Sequence, residues 1–577
     1  MPPSALDRRS FMTVCSSLGL SGALSTALWR EARAQAPAPP AQGQQQAPQV
    51  VTKEMLAAAE TVIGLSFTDA EREMMIPDLN NALVQYAALR RVSLPNSVAP
   101  ALRFDPELPG ATLAAAPARR SAPARRRPRV SRPANLEELA WSPLAELTEL
   151  LRTRAVTSEE LTRLALDRLK RFDGELKAVV TLTEERALRQ AREADREIAR
   201  GRIRGPLHGI PWGAKDLLAV PGYPTTWGSP IYKDQVLAET ATVVERLDAA
   251  GAVLVAKLSL GEFAQGDVWY GGTTKNPWNT EQGSSGSSAG PGSATAAGCV
   301  PFAIGSETLG SIVSPSTRNG VTGLRPTFGR VSRHGAMALS WSMDKLGPMA
   351  RSAEDCGLVF AAIHGADGKD ATAVSRPFVW RPGQGLTGLR IGYLKSAFDA
   401  DHATKAFDDA ALDVLRGLKV NPVEVSLPAD LPIGSLNVIL NAEAAAAFDE
   451  LTRSNQDDQM VRQVRGAWPN SFRRSHFIPA VEYIQANRVR TLLMQALHEL
   501  FREVDVFVTP SFGGSVLLAT NLTGHPALVL PNGFTTAGAP VSLSFIGRLH
   551  GEAELLSVAE AYQAATDFHR KRPAKFV

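Results

Sequence analysis

Between residues 135 and 577, short apolar runs alternate with segments patterned as helices, and this constrains the fold more than any other feature. Gly-Ala-Val-Leu-Val-Ala (251–256), Pro-Phe-Ala-Ile-Gly (301–305), Asp-Val-Phe-Val-Thr (505–509) and Ala-Leu-Val-Leu-Pro (527–531) are too short for helices. Their continuous apolar character fits strands buried on both faces. Between such runs, Thr157-Ser-Glu-Glu160 is a capping box, and Leu161, Leu164, Ala165, Arg168 and Leu169 follow at helical spacing. Buried strands separated by helices imply an α/β fold, a large mixed β-sheet core covered by helices on both faces. With 44% apolar and 21% charged residues in 577, the chain can bury such a core.

The segments before residue 135 differ in kind. Residues 1–34 carry Arg8-Arg9 before Ser10-Phe11, an apolar stretch to about Trp29, and Ala32-Arg33-Ala34. That order of charged region, apolar region and small-residue site reads as a signal peptide, and the paired arginines resemble a twin-arginine export signal. The expected location is therefore outside the cytoplasm, in the periplasm. Residues 35–50, rich in Pro, Ala and Gln, read as a flexible tether. In the segment 51–108, residues 51–92 read as a helical hairpin. Met55, Leu56, Val62, Ile63 and Leu65 suggest one helix, Thr68-Asp-Ala-Glu71 caps a second, and Leu79, Leu83 and Tyr86 form its stripe. A hairpin this small needs something larger to dock on. Residues 109–134 hold seven arginines among Ala and Pro without an acidic residue, and read as a solvated linker.

Composition excludes several classes. With 62 basic against 58 acidic side chains, the charge is too even for a nucleic-acid-coating protein. Three cysteines, Cys15, Cys299 and Cys356, make no disulfide framework, and no Cys/His cluster suggests zinc. No apolar run after residue 30 reaches the length of a membrane span. No metal or cofactor is called for, and nothing in the sequence sets an oligomeric state.

Chemistry concentrates in three segments. Gln282-Gly-Ser-Ser-Gly-Ser-Ser-Ala-Gly-Pro-Gly292 and Gly305-Ser-Glu-Thr-Leu-Gly-Ser311 are dense in Gly and Ser, which suits loops whose amides approach a ligand closely. Neither contains the G-K-[ST] of a P-loop. Gly286-Ser-Ser-Ala-Gly290 matches the G-x-S-x-G esterase elbow, but the preceding Asn279-Thr-Glu-Gln-Gly-Ser-Ser does not read as the strand that elbow requires. In the third segment, Leu207-His-Gly-Ile-Pro-Trp-Gly-Ala-Lys-Asp216, Lys215 ends a short apolar run.

Taken together, Lys215, Gly286-Ser-Ser288 and Gly310-Ser311 resemble the amidase signature family. Gly323-Leu-Arg-Pro-Thr327, Asp344-Lys-Leu-Gly-Pro-Met349, Asn521-Leu-Thr-Gly-His-Pro-Ala527 and Ile546-Gly-Arg548 look like further blocks in family order. The amidase domain that this resemblance implies spans 135–577. The resemblance further implies a serine amidase acting on a small-molecule carboxamide, with Ser311 as nucleophile, Ser287 as relay and Lys215 as base. A lysine of ordinary pKa about 10.4 would be protonated. Burial can lower it enough to accept a proton. The resemblance also implies a cis peptide at Gly286–Ser287 and an oxyanion hole of backbone amides at Thr308, Leu309, Gly310 and Ser311, with Glu307 supporting the loop. His208 and His525 read as structural. Departures are Val313, where the family often has arginine, and Leu309, where it often has glycine. The 51–92 hairpin is more weakly similar to the small helical subunit of tRNA-dependent amidotransferases. The main rival reading is therefore a glutaminase-type component of such an amidotransferase, beside a catalytically silent binding protein on the same fold.

The export expectation predicts that the mature protein begins near Gln35. Replacing Arg8 and Arg9 by lysine should leave precursor in the cytoplasm. N-terminal sequencing and fractionation check both; normal export of the double variant would refute the twin-arginine reading.

Overall fold

The computed structural model describes residues 50–92 and 130–577. The expected export signal, the tether up to residue 49 and the arginine-rich stretch up to residue 129 lie outside them.

Eleven strands form one mixed sheet: β1 (Val179–Leu182), β2 (Pro211–Lys215), β3 (Val253–Leu258), β4 (Phe302–Glu307), β5 (Thr322–Arg325), β6 (Lys345–Ala350), β7 (Ile391–Leu394), β8 (Val423–Val425), β9 (Val506–Pro510), β10 (Ala527–Phe534) and β11 (Pro540–Gly547). Their spatial order is β1-β3-β2-β4-β6-β5-β10-β11-β9-β7-β8. All four apolar runs singled out in the sequence are strands of this sheet, and β2, β3, β4 and β9 are buried along their whole length. Complete burial explains why their sequences do not alternate.

The sheet topology gathers the chemistry at one end. β2 lies parallel between β3 and β4, with Trp212 opposite Phe302 and their rings stacked at 6.1 Å. The C-terminal ends of β2 and β4 therefore emerge side by side, delivering Lys215 and the 308–311 loop to one edge. β6 runs antiparallel to β4 with Lys345 opposite Glu307, so Asp344 and Lys345 arrive at the same end. The crevice beyond the carboxyl ends of adjacent strands is where α/β sheets usually bind ligands.

Seven helices matter below: α1 (Lys53–Ile63), α2 (Asp69–Arg90), α3 (Ser158–Leu176), α4 (Ala289–Ala296), α5 (Val313–Asn319), α6 (Trp468–Ser475) and α7 (Ala480–Glu503). Both capping boxes form, at Thr68/Glu71 and at Thr157/Glu160. Each satisfies two amides that a helix start leaves without partners. Arg132, from the end of the arginine-rich stretch, pairs with Glu160 at 2.8 Å.

The hairpin α1–α2 packs on α6 and α7. Its docked face differs from the expected stripe. Leu79 and Tyr86 are buried, but Leu83 is 39% exposed. Ala82, Tyr86 and Leu89 join the α7 residues in one cluster, while Met75 and Leu79 pack with Leu56 and Phe67 of the hairpin itself and with Phe477. Helical periodicity steps alternately by four and three residues, so the face passes through Ala82 and leaves Leu83 on the flank. Ion pairs fix the same face: Glu71 to Arg473 at 2.7 Å, Asp78 to Arg465 at 2.7 Å, and Arg90 to Glu482 at 2.5 Å. No described helix is long and apolar enough to cross a membrane.

Candidate active site

Lys215 is fully buried, and its ammonium nitrogen meets hydroxyls rather than a carboxylate. Nζ lies 2.8 Å from Ser287 Oγ, 3.0 Å from Ser288 Oγ and 2.8 Å from Ser306 Oγ. Burial drives its pKa well below the usual lysine range; the more distant charges of Asp344 and Glu307 oppose this only in part. Burial thus shifts the balance from the ammonium toward the neutral amine.

The hydrogens can then be assigned around Nζ. Ser288 donates its own hydrogen to Ser306 O at 3.0 Å and accepts the Ser306 N–H at 3.1 Å. Toward Lys215 it can therefore only accept. A neutral amine has two hydrogens and one lone pair. One hydrogen therefore goes to Ser288, which leaves the second hydrogen and the lone pair for the hydroxyls of Ser306 and Ser287.

The peptide bond Gly286–Ser287 is cis. Gly286 has no room for a side chain, since a Cβ there would lie 1.8 Å from Gly266 O. Ser288 N–H donates to Ser311 O at 3.1 Å, which ties the 284–288 loop to the 308–311 loop. Ser311 is only 7% exposed, and among the described residues its hydroxyl makes no hydrogen bond. The structure therefore joins Lys215 to Ser287 directly, and Ser311 to this group through its backbone.

Glu307 organises the second loop. Its fully buried carboxylate accepts from Ile312 N–H at 2.8 Å, Val313 N–H at 2.9 Å, Arg325 at 2.7 Å and Asn521 at 2.8 Å. Burial alone would raise its pKa. Arg325 foremost, helped by the Val313 amide and the charge of Lys345, holds it at about 2 instead. The chain turns sharply at Gly310, whose φ is +83°. Among the described residues the amides of Thr308, Leu309, Gly310 and Ser311 donate to no protein acceptor. Four successive N–H groups are thus available for a negatively charged oxygen.

Sequence reasoning missed three neighbours of this site. Ser288, considered only as an esterase nucleophile, is fully buried against Lys215. Contrary to the sequence expectation, 279–283 before it is a strand, but among the described residues it pairs only with 275–276 in a two-stranded hairpin outside the main sheet, so the elbow geometry is absent there. Ser306 lies inside the quoted motif, but its role depends on β2 and β4 being neighbours. Asp344 accepts the Thr308 hydroxyl at 2.6 Å and the amides of Leu339 and Ser340. Ser284 is also buried, but its hydroxyl bonds Ser285 O at 3.0 Å. His208 Nε2 lies 3.3 Å from Glu197, and His525 Nδ1 meets Thr523 Oγ1 at 2.7 Å. Val313 is buried, so the position that often carries arginine projects into protein here.

Two cavities flank the 308–314 segment. One of about 240 Å³ is lined by Ser306, Thr308, Met337, Leu339, Trp341 and Asp344. The other, of about 350 Å³, is lined by Ser285, Ser314, Arg318 and Phe512. A larger cavity of about 660 Å³, beside Trp141, Arg351 and Arg572, touches none of these residues. Among the described residues no group of three or more His, Cys, Asp or Glu side chains could hold a metal ion.

Sheet and site together define an α/β protein with a buried lysine among serine hydroxyls at the carboxyl ends of neighbouring strands. Residues 160–518, more than half of the chain, match the family described as Amidase. The chain belongs to this family, the amidase signature enzymes. It is 38% identical over 478 residues to the A subunit of the glutamyl-tRNA(Gln) amidotransferase of Methylococcus capsulatus, covering 75% of this chain and 98% of that protein. Among solved structures it is similar to the native peptide amidase from Stenotrophomonas maltophilia, with 30% identity, a TM-score of 0.66, and coverage of 75% and 98%. It is also similar to a chain of a "vestigial protein complex" that "reveals the evolutionary origins of an s-triazine catabolic enzyme", with 29% identity, a TM-score of 0.68, and coverage of 74% and 99%.

The Glu307 network predicts a stability defect with a direction. Glu307→Ala leaves Arg325 buried without its carboxylate, which should cost about 3–5 kcal/mol. Glu307→Gln should cost less, because an amide can still accept from Ile312 and Val313. Denaturant midpoints of the two variants against the parent check the ranking.

Proposed function

We propose that this chain is an amide-hydrolysing enzyme of glutaminase type, acting through Ser311 with Ser287 and Lys215 as its proton relay. The observation that carries the reading is a fully buried lysine whose neighbours are hydroxyls, with Ser287 Oγ 2.8 Å from its Nζ. Neutral Lys215 accepts the Ser287 proton as Ser287 takes that of Ser311. Ser311 Oγ bonds the amide carbon, and the carbonyl oxygen becomes an anion facing the amides of residues 308–311. As the C–N bond breaks, the relay returns the proton to the departing nitrogen. Water then attacks the acyl-serine by the same route and releases the carboxylate.

The similar sequences favour the amidotransferase-type reading over an unassigned free-standing amidase, because the chain is 38% identical to the Methylococcus amidotransferase subunit and 30% identical to the Stenotrophomonas peptide amidase, each over 98% of its partner's length. A self-sufficient amidase is the second reading. It is favoured by the Stenotrophomonas peptide amidase, which the chain matches over 98% of its length, and by a docked hairpin carried in the same polypeptide. The intact set of Lys215, Ser287 and Ser311 weighs against a silent binding protein.

Purified protein, without partner, ATP or tRNA, should be offered glutamine and a panel of peptide, aryl and aliphatic amides, with ammonia or amine release measured. Turnover confined to glutamine and its close analogues supports the glutaminase-type reading. Efficient hydrolysis of peptide or aryl amides with none of glutamine overturns it in favour of the self-sufficient amidase.

The relay predicts an order of mutational damage. Ser311→Ala should fall to background. Lys215→Ala and Ser287→Ala should each lose about 10²–10⁴-fold, with double variants losing far less than the product. Ser288→Ala should be intermediate, since it removes one anchor of Lys215, and Ser284→Ala should stay near parent activity. A serine-directed acyl probe should label Ser311, and labelling of Ser288 would refute the assignment. The pH profile follows from the lowered Lys215 pKa. Activity should be lost as pH falls through that value, because a protonated lysine cannot accept, and should need no pH near 10 to develop. Conversely, Lys215→Met should be inactive yet more stable at neutral pH. The parent binds fewer protons at this site when folded than unfolded, so it gains stability only as pH rises toward the unfolded value.

A further inference from the structure

The N-terminal hairpin ends in the same apolar cluster that receives the loop before Ser311. Tyr86 and Leu89 of α2 are buried in a cluster with Met343, Leu436, Val489 and Leu493. Leu309, from the 308–311 loop, packs against that cluster, as do Ala82 and Val92 of the hairpin segment. A glycine would leave this loop without a side-chain anchor. A leucine fixes one end of its backbone in apolar packing and makes its position depend on whatever completes the cluster.

We propose that Leu309 is a positioning residue through which the hairpin holds the candidate oxyanion loop in its reactive geometry. This rests on the reading of Ser311 as nucleophile. The polar contacts agree with a fixed dock: Glu71, Asp78 and Arg90 pair with Arg473, Arg465 and Glu482 along the length of α2. Hairpin and loop thus share one apolar cluster, to which neither Lys215 nor Ser287 belongs. A loop set by packing affects the charge that develops on the carbonyl oxygen in the transition state, and affects ground-state binding much less. The expected signature is therefore a change in kcat with little change in KM.

The test uses the full-length protein and five variants: Leu89→Ala, Leu309→Gly, their double, Leu309→Met, and Val62→Ser as a control at an exposed hairpin position. Rates are measured on the best amide of the panel, together with acyl-probe labelling of Ser311, well below each variant's melting temperature. Leu89→Ala should lower kcat and labelling about tenfold while KM stays within twofold, and Val62→Ser should match the parent. In the Leu309→Gly background, Leu89→Ala should cost less than twofold more, and Leu309→Met should retain most activity. Should Leu89→Ala fail to fold, Leu89→Val serves as the milder probe and should show the same dependence on residue 309. Equal losses in both backgrounds, or a lowered melting temperature with unchanged kcat, would overturn the coupling. Probe labelling that persists in Ser311→Ala would instead show that the nucleophile assignment itself is wrong.

Discussion

Everything at this site depends on burying a lysine without giving it a carboxylate. Taking an ammonium group out of water is costly, and a protein can answer by pairing it or by leaving it neutral. Both answers occur side by side here. Lys257 on β3 is fully buried 2.7 Å from the carboxylate of Asp216. Lys215 on β2, equally buried, has three serine hydroxyls. The first arrangement ties the ends of two strands together through a buried hydrogen-bonded pair. The second favours an uncharged amine, held by Ser288 within reach of the Ser287 hydroxyl.

A second buried charge does the opposite work. Glu307 is held ionised by Arg325, and its oxygens gather the amides that open α5. By engaging the amides of residues 312 and 313, it helps define a turn in which the amides of 308–311 face away from protein acceptors. Breaking this pair would remove a structural charge, whereas altering Lys215 would remove a reactive one. The two groups lie on neighbouring parallel strands, so the sheet register sets the spacing between base and loop.

The hairpin extends this arrangement beyond the family region. Its ion pairs and apolar face lie on α6 and α7, outside the central sheet, yet its C-terminal end joins the cluster against which Leu309 packs. An element that looks peripheral in the sequence is thus continuous with the packing around the catalytic loop.

Much of this was legible in the residues themselves. Runs of uninterrupted apolar residues can hide only in a covered sheet, so the four strands at 253–258, 302–307, 506–510 and 527–534 were readable from local pattern. Capping boxes are local as well, and both formed. The Gly/Ser-rich motifs and Lys215 stood out because such residues serve no packing purpose, and their resemblance to the amidase signature supplied Ser287 and Ser311. What lay beyond the sequence were contacts set by strand neighbours and helix faces. Ser306 and Ser288 meet Lys215 only because β2 runs between β3 and β4. Asp344 meets Thr308 only because β6 is antiparallel to β4. Leu83 lost its place on the docked face to Ala82 because helical rotation, and not residue hydrophobicity, decides which side chain points inward. Sequence by itself determined which segments must be buried and which residues carry chemistry, since both follow from local composition. Which of those residues touch, and in what protonation state, was decided by the tertiary structure, because distance and desolvation arise only when distant segments are packed together.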